Sequence, residues 1–279
     1  MPVLSFMSAN YVARTLGYHM TQGWMEGDAS TNAYFRPLAT FETRFEAIVR
    51  DIHAMGFRAM DIWTAHLNPA WATPEHIAQA RRVLARYEMA VVSLAGGFGE
   101  TVAEVTASCQ LAKAMGTDVL GGGTSLLFSD RSRRVATLKT HGVRLGVENH
   151  PEKTPEELLQ KIGESDPEVI GVAVDTGWFG THGYDAAQAI ERLGNRVFHV
   201  HLKDIYPPQF DSPPGVTLKG NGHETCAFGE GVVPLEACVR ALEKIGYTGA
   251  LSIEHEPEDF DPTDDIRTSL TRLQQGLGA

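Results

Sequence analysis

Apolar and polar positions along this chain alternate between two periods, that of a strand and that of a helix. Val3 to Met7 is a short apolar run that predicts a first strand. Residues 8–38 then show neither period; rich in Gly, Asn, Tyr and Trp, they read as a long loop over the fold. From Thr40 the order is steady. Phe41, Phe45, Ile48, Ile52 and Met55 recur at helical spacing, and Gly56 closes that helix. RAMDIW (58–63) predicts a strand and Pro74 to Tyr87 a helix, then MAVVSLAG (89–96) a strand and Thr101 to Met115 a helix. TDVLGGG (117–123) is a strand, Ser129 to His141 a short basic helix and RLGVEN (144–149) a strand. Thr154-Pro-Glu-Glu opens the next helix with proline at its first position. EVIGVAVD (168–175), VFHVHLKD (197–204) and GALSIEHE (249–256) are strands, followed by helices at Asp185 to Leu193, Pro234 to Ile245 and Pro262 to Leu277.

Eight strands alternating with eight helices, the strands too apolar to face water, predict a parallel sheet covered by helices. At roughly 35 residues per unit, this is the pattern of an α/β (β/α)8 TIM barrel, one domain over residues 1–279 with long loops after strands 1 and 7. An open doubly wound sheet is the runner-up. Four strand ends argue for the barrel: Glu148, Asp175, His201 and Glu254 end strands five to eight, which are neighbours only if the sheet closes.

VFHVHLKD sets the register. Period two puts Val197, His199, His201 and Lys203 on one face and Phe198, Val200 and Leu202 on the other. A lone aspartate at a strand end is more often a helix cap. Three carboxylates and an imidazole at four adjacent strand ends instead read as one metal site on the catalytic face. The oxygen-rich set suits Mn²⁺ best, with Mg²⁺, Co²⁺ or Zn²⁺ as alternatives. His199, one step deeper, reads as support behind His201, as does Asn149 beside Glu148.

Charge and cysteines narrow the class. A net charge of −11 argues against a nucleic-acid partner. Three cysteines without CxxC spacing read as incidental buried thiols. No run of about 18 apolar residues and no signal-peptide pattern appears, so no membrane partner and a cytoplasmic location are expected.

GVENH, AVDTGW, HVHLKD, FGEGVVP and LSIEHE resemble the xylose isomerase-like barrel superfamily of sugar isomerases and epimerases, over essentially the whole chain and most clearly from residue 144 onward. The resemblance implies one divalent metal on Glu148, Asp175, His201 and Glu254. It also implies that Glu148 and Glu254 are the acid/base pair of an isomerase or epimerase. Such an enzyme removes a proton beside a carbonyl through a metal-stabilised enediolate. His150, two residues beyond Glu148, is a further candidate base. Lys203, Trp178 and His66 are candidate substrate contacts, though Trp178 reads equally as a lid residue and His66 as a helix cap.

Two departures limit the carry-over. The ketose epimerases place a histidine where Trp178 stands, and an arginine soon after the histidine ligand, where this chain reads Ile205-Tyr206-Pro207-Pro208. SFMSANYVARTLGY and DIWTAHLN resemble the larger subunits of bacterial enzymes that cleave 3-oxo-C-glycosides by β-elimination. That makes a metal-dependent lyase or dehydratase the alternative, and leaves open a homo-oligomer or a small partner subunit. A bulky aglycone would account for Trp24, Tyr34, Trp63 and Trp178 at one mouth, and His223, Glu224 and Phe228 lie in the second long loop. An apurinic endonuclease and a non-catalytic binding barrel are the weaker readings. The expected substrate is a sugar or keto-sugar.

Overall fold

The computed structural model describes residues 2–207 and 224–276. Eight parallel strands close into a barrel: β1 (Leu4–Met7), β2 (Ala59–Trp63), β3 (Ala90–Gly97), β4 (Val119–Gly123), β5 (Arg144–Glu148), β6 (Ile170–Asp175), β7 (Val197–Leu202) and β10 (Leu251–Ile253), with β10 pairing β1. Helices between the strands bury one apolar stripe against the barrel. In Leu38–Ala54 that stripe is Phe41, Phe45, Ile48, Val49 and Ile52, all buried. Several helices begin where a threonine satisfies the free N–H groups of the first turn: Thr101 with Glu104 forms a capping box, and Thr154 accepts from Glu157 N.

The register places one polar layer inside the barrel. Ser5 pairs with Ser252, Asp61 with Ser93, and Ala173 with His199. Asp61 Oδ2 accepts from Ser5 Oγ (2.6 Å) and Ser252 Oγ (2.5 Å), and its Oδ1 from Ser93 Oγ (2.5 Å). His199 Nε2 stands 2.5 Å from the same Oδ1. Burial opposes ionisation of Asp61, yet His199, His201 and Ser252 together hold it below the usual carboxylate range.

Short helices at Leu126–Ser129 and Thr176–Thr181 were not expected from the sequence, and two longer segments differ from the expectation as well. The stretch read as a loop after β1 contains a 12-residue helix, Trp24–Phe35. Gly23, Gly27, Ser30 and Asn32 are poor helix formers, and Gly23 provides no side-chain cap, so no local pattern announces it. Tertiary packing holds it instead. Gly27 lies so close to Val12 that an added Cβ would come within 2.6 Å of its side chain, and Trp24 packs on Trp63 with ring centroids 5.2 Å apart.

The second difference follows β7, which stops at Leu202. Asp204–Ile205 (β8) then pairs antiparallel with Thr225–Cys226 (β9). The Asp204 carboxylate accepts from the backbone N–H groups of Ile205, Gly229, Gly231 and Val233, and so folds the FGEGVVP segment around itself. Glycine is required at 231, where a Cβ would lie 2.2 Å from Asp204 Oδ1. His223 lies outside the described residues. The three cysteines are free and buried. No helix among the described residues is long and apolar enough to cross a membrane.

Candidate active site

A cavity of about 200 Å³ opens at the carboxyl ends of the strands. Glu148 ends β5, Asp175 ends β6, His201 lies on β7 and Glu254 follows β10, so neighbouring strands carry all four at their carboxyl ends. Glu148, His201 and Glu254 offer ligand atoms that lie within 4.8 Å of one another. His201 Nδ1 stands 3.0 Å from Glu148 Oε1 and 3.7 Å from Glu254 Oε2. Asp175 joins them from below: its Oδ1 caps the Thr176–Thr181 helix through Gly177 N and Trp178 N, while Oδ2 meets Lys203 Nζ at 3.2 Å and His150 Nε2 at 3.3 Å. The helix-cap reading of this strand-end aspartate holds on Oδ1.

His150 bridges Glu148 (Nδ1 to Oε2, 3.5 Å) and Asp175. Asn149 ties the ends of β5 and β6 together, donating to Asp175 O at 3.0 Å and accepting from Asp175 N at 2.7 Å. Lys203 is buried among Asp175, Glu254 (3.3 Å) and Glu256 (3.2 Å). The second oxygen of Glu256 accepts from Trp24 Nε1 at 3.3 Å, which latches the Trp24–Phe35 helix over the mouth.

Acidic groups dominate the electrostatics. Burial works against a charge on His201, yet Glu254 and Glu148 push its imidazole up to about 10. Burial likewise opposes the charge on His150, and Glu148 and Asp175 push it up to about 10. Glu148 is held below the usual carboxylate range because His150 and His201 outweigh its burial. Glu254 goes the other way: burial, with Glu256 and Asp175 adding to it, pushes its carboxyl up to about 8 against Lys203 and His201.

These residues fit a divalent cation. The buried His201 Nε2 and Glu254 Oε2 make no hydrogen bond, although the latter has Lys203 nearby. The field that draws protons onto His150 and His201 is also one that attracts a dication. Glu148, His201 and Glu254 offer the converging ligand atoms that would hold it.

The remaining candidates divide between the cavity wall and positions away from it. His199 sits one layer deeper, paired with Asp61, its ring 5.0 Å from that of His201. His66 is buried, with Nδ1 3.0 Å from Ser8 Oγ and its ring against Phe35, and it does not line the cavity. Trp178 packs edge-on against His150 at 4.5 Å and donates to Glu152 O, behind the site. Trp24 and Trp63 do line the cavity, as does Glu224; Tyr34 lies outside it, under Arg44. Sequence reasoning passed over Asp61 and Glu256. Glu256 had a visible signal, because Ser252, Glu254 and Glu256 share one period-two face.

Comparison with known proteins places this geometry. The family profile for the xylose isomerase-like TIM barrel matches residues 49–276. An inosose dehydratase of Mesomycoplasma hyopneumoniae is 39% identical over 154 residues, 49% of this chain and 49% of that protein. The chain spans about half the length of the curated relatives it matches. Among solved structures, the IOLI protein with a bound zinc atom superposes with a TM-score of 0.66 at 15% identity, covering 100% of this chain and 98% of that one. The probable 3-DHS dehydratase of petrobactin synthesis from Bacillus anthracis gives 0.62 at 13% identity, with 98% of each chain covered. At such identities the solved structures share the fold. With its closed barrel and matched profile, this chain belongs to the xylose isomerase-like TIM barrel family.

Proposed function

We propose that this chain is a divalent-cation-dependent enzyme that removes a proton from the carbon beside a ketone in a sugar-like, polyhydroxylated substrate. The observation that carries the proposal is the convergence of Glu148, His201 and Glu254 in one cavity at the strand ends. A cation on these residues and Asp175 supplies Lewis-acid polarisation of a ketone and its neighbouring hydroxyl. The oxygen-rich donor set favours Mn²⁺, Mg²⁺ or Co²⁺ over thiolate-selected ions. Glu148, kept ionised by His150 and His201, takes the proton, and Glu254 on the other flank of His201 is its acid/base counterpart. His150 touches both Glu148 and Asp175 and passes the proton outward. Lys203, fixed by Glu256, orients a substrate oxygen.

For the fate of the carbanion we favour elimination of water. Inosose dehydratases from several organisms are among the relatives. In addition, Trp178 is packed behind His150, at the position where the ketose epimerases carry a substrate-binding histidine. Isomerisation or epimerisation is the second reading, favoured by the two glutamates that flank His201. Elimination from a 3-oxo-glycoside would share the first step and differ in its leaving group.

One experiment separates these outcomes. The Mn²⁺-loaded chain is incubated in D₂O with an inosose, a panel of ketoses and a 3-oxo-glucoside, and followed by NMR. Loss of water from the inosose is the expected result. Solvent deuterium in an intact epimer would select the second reading, and release of an aglycone the glycoside reading. No exchange and no conversion with any of them would refute proton transfer.

A further inference from the structure

We propose that Glu256 is a positioning residue that sets two substrate contacts at once, the Trp24 indole and the Lys203 ammonium, and so ties the cover of the cavity to the strand ends beneath it. The inference rests on the cavity being the substrate site proposed above. Trp24, Lys203 and Glu256 all line it. Glu256 Oε1 accepts from Trp24 Nε1 at 3.3 Å, and its Oε2 accepts from Lys203 Nζ at 3.2 Å. Indole and ammonium are donors with no acceptor to offer, so the residue between them needs two acceptor oxygens. A carboxylate has two and a carboxamide has one.

The two contacts come from distant parts of the chain. Trp24 is the first residue of the cover helix, Gly23 before it provides no side-chain cap, and its ring lies tilted against that of Trp63 with centroids 5.2 Å apart. The bond from its N–H to Glu256 therefore fixes the angle of the indole over the cavity. The chain just before the helix has its own tie to the segment after β10, from Met20 N to Glu258 O at 3.2 Å, so the cover does not depend on Glu256 alone. Lys203 follows β7, and its three donors meet Asp175, Glu254 and Glu256 at 3.2, 3.3 and 3.2 Å. Glu254 is a candidate cation ligand; once it serves an ion, Lys203 has a donor for a substrate oxygen while Glu256 still holds the amine. A substrate then meets an aromatic surface from Trp24 and a donor from Lys203, with Glu256 setting the spacing between them.

The test uses the full chain. In the ion-free protein the indole N–H resonance of Trp24, identified by its loss in Trp24→Phe, reports the bond to Glu256. Glu256→Gln is expected to shift it. Lys203→Met should shift it too, because it removes only the far partner of Glu256, and this variant remains informative if Glu256→Gln does not fold. The Trp71 indole, which donates to Asn32 on the same helix at 3.2 Å, should stay in place in both. With Mn²⁺ and an inosose, Glu256→Gln should raise KM about tenfold and leave kcat within about threefold, as loss of uniform binding does. In the Trp24→Phe background that rise should shrink, since a single acceptor then suffices for Lys203. A Trp24 resonance that either variant leaves in place overturns the inference. So does a parallel shift of Trp71, which would mark loss of the helix, or a fall in kcat at unchanged KM, which would put Glu256 in the chemistry. Absence of turnover by the native chain counts against the proton-transfer reading alone, because the indole resonances still decide the positioning.

Discussion

Two ionic layers stand one above the other inside this barrel, and they are built on opposite principles. In the lower layer a single carboxylate, Asp61, receives three serine hydroxyls and His199. Both of its oxygens are occupied. In the upper layer Glu148, Asp175, Glu254 and Glu256 crowd around His150, His201 and Lys203, and His201 Nε2 and Glu254 Oε2 lack hydrogen bonds. A closed network specifies structure, because removing any member strands the others in a low dielectric. An open, charge-rich network leaves those unfilled polar atoms for a ligand to occupy. His199 and His201, two residues apart on β7, fall on either side of this divide.

The comparison can be broken most directly at Asp61. Asp61→Ala would leave His199 and three hydroxyls buried without their partner, and should cost about 3–5 kcal/mol, a large share of the stability of a domain. Urea unfolding measures it, and a loss below about 1 kcal/mol would mean that the lower layer is not the structural one. Ion binding sharpens the contrast from the other side. Mn²⁺ at about 100 times its dissociation constant should stabilise the native chain by about 2.7 kcal/mol, and should do nothing for His201→Gln. Glu254 is pushed up to about 8 and is largely uncharged near neutral pH, so in the ion-free chain Glu254→Gln should stay within about 1 kcal/mol of its parent or gain stability.

A pH-dependent effect concerns a histidine held neutral. Burial, with the charge of Arg14 adding to it, pushes His66 down to about 3. The unfolded chain takes up this proton near pH 6.5, roughly the ordinary value. His66 therefore contributes stability that is complete above about pH 6.5 and is lost as pH falls toward 3, with a slope of at most about 1.4 kcal/mol per pH unit. His66→Gln should flatten that acid limb in pH-resolved thermal unfolding, and an unchanged limb would contradict the assignment.

The upper layer was legible in the sequence and the lower one was not, for a physical reason. Glu148, Asp175, His201 and Glu254 each end an apolar run, so a period-two reading of single strands brings them to one rim once the sheet closes. Asp61 stands inside RAMDIW with nothing local to mark it. Its partners come from β1, β3, β7 and β10, a grouping that exists only through barrel closure. The Trp24–Phe35 helix was hidden for a related reason: its residues have low helix propensity, and contacts with Val12, Trp63 and Glu256 hold it. Lys203 was placed on the inward face by alternation, but its three carboxylate partners come from the end of β6 and the segment after β10.

The division between the two histidines is the central claim, and Mn²⁺ electron paramagnetic resonance on the full chain tests it directly. Native protein and His199→Gln, whose amide can still donate to Asp61, should each bind one Mn²⁺ tightly, while His201→Gln should lose that ion. Retention of the ion by His201→Gln, or its equal loss from both variants, would contradict the account.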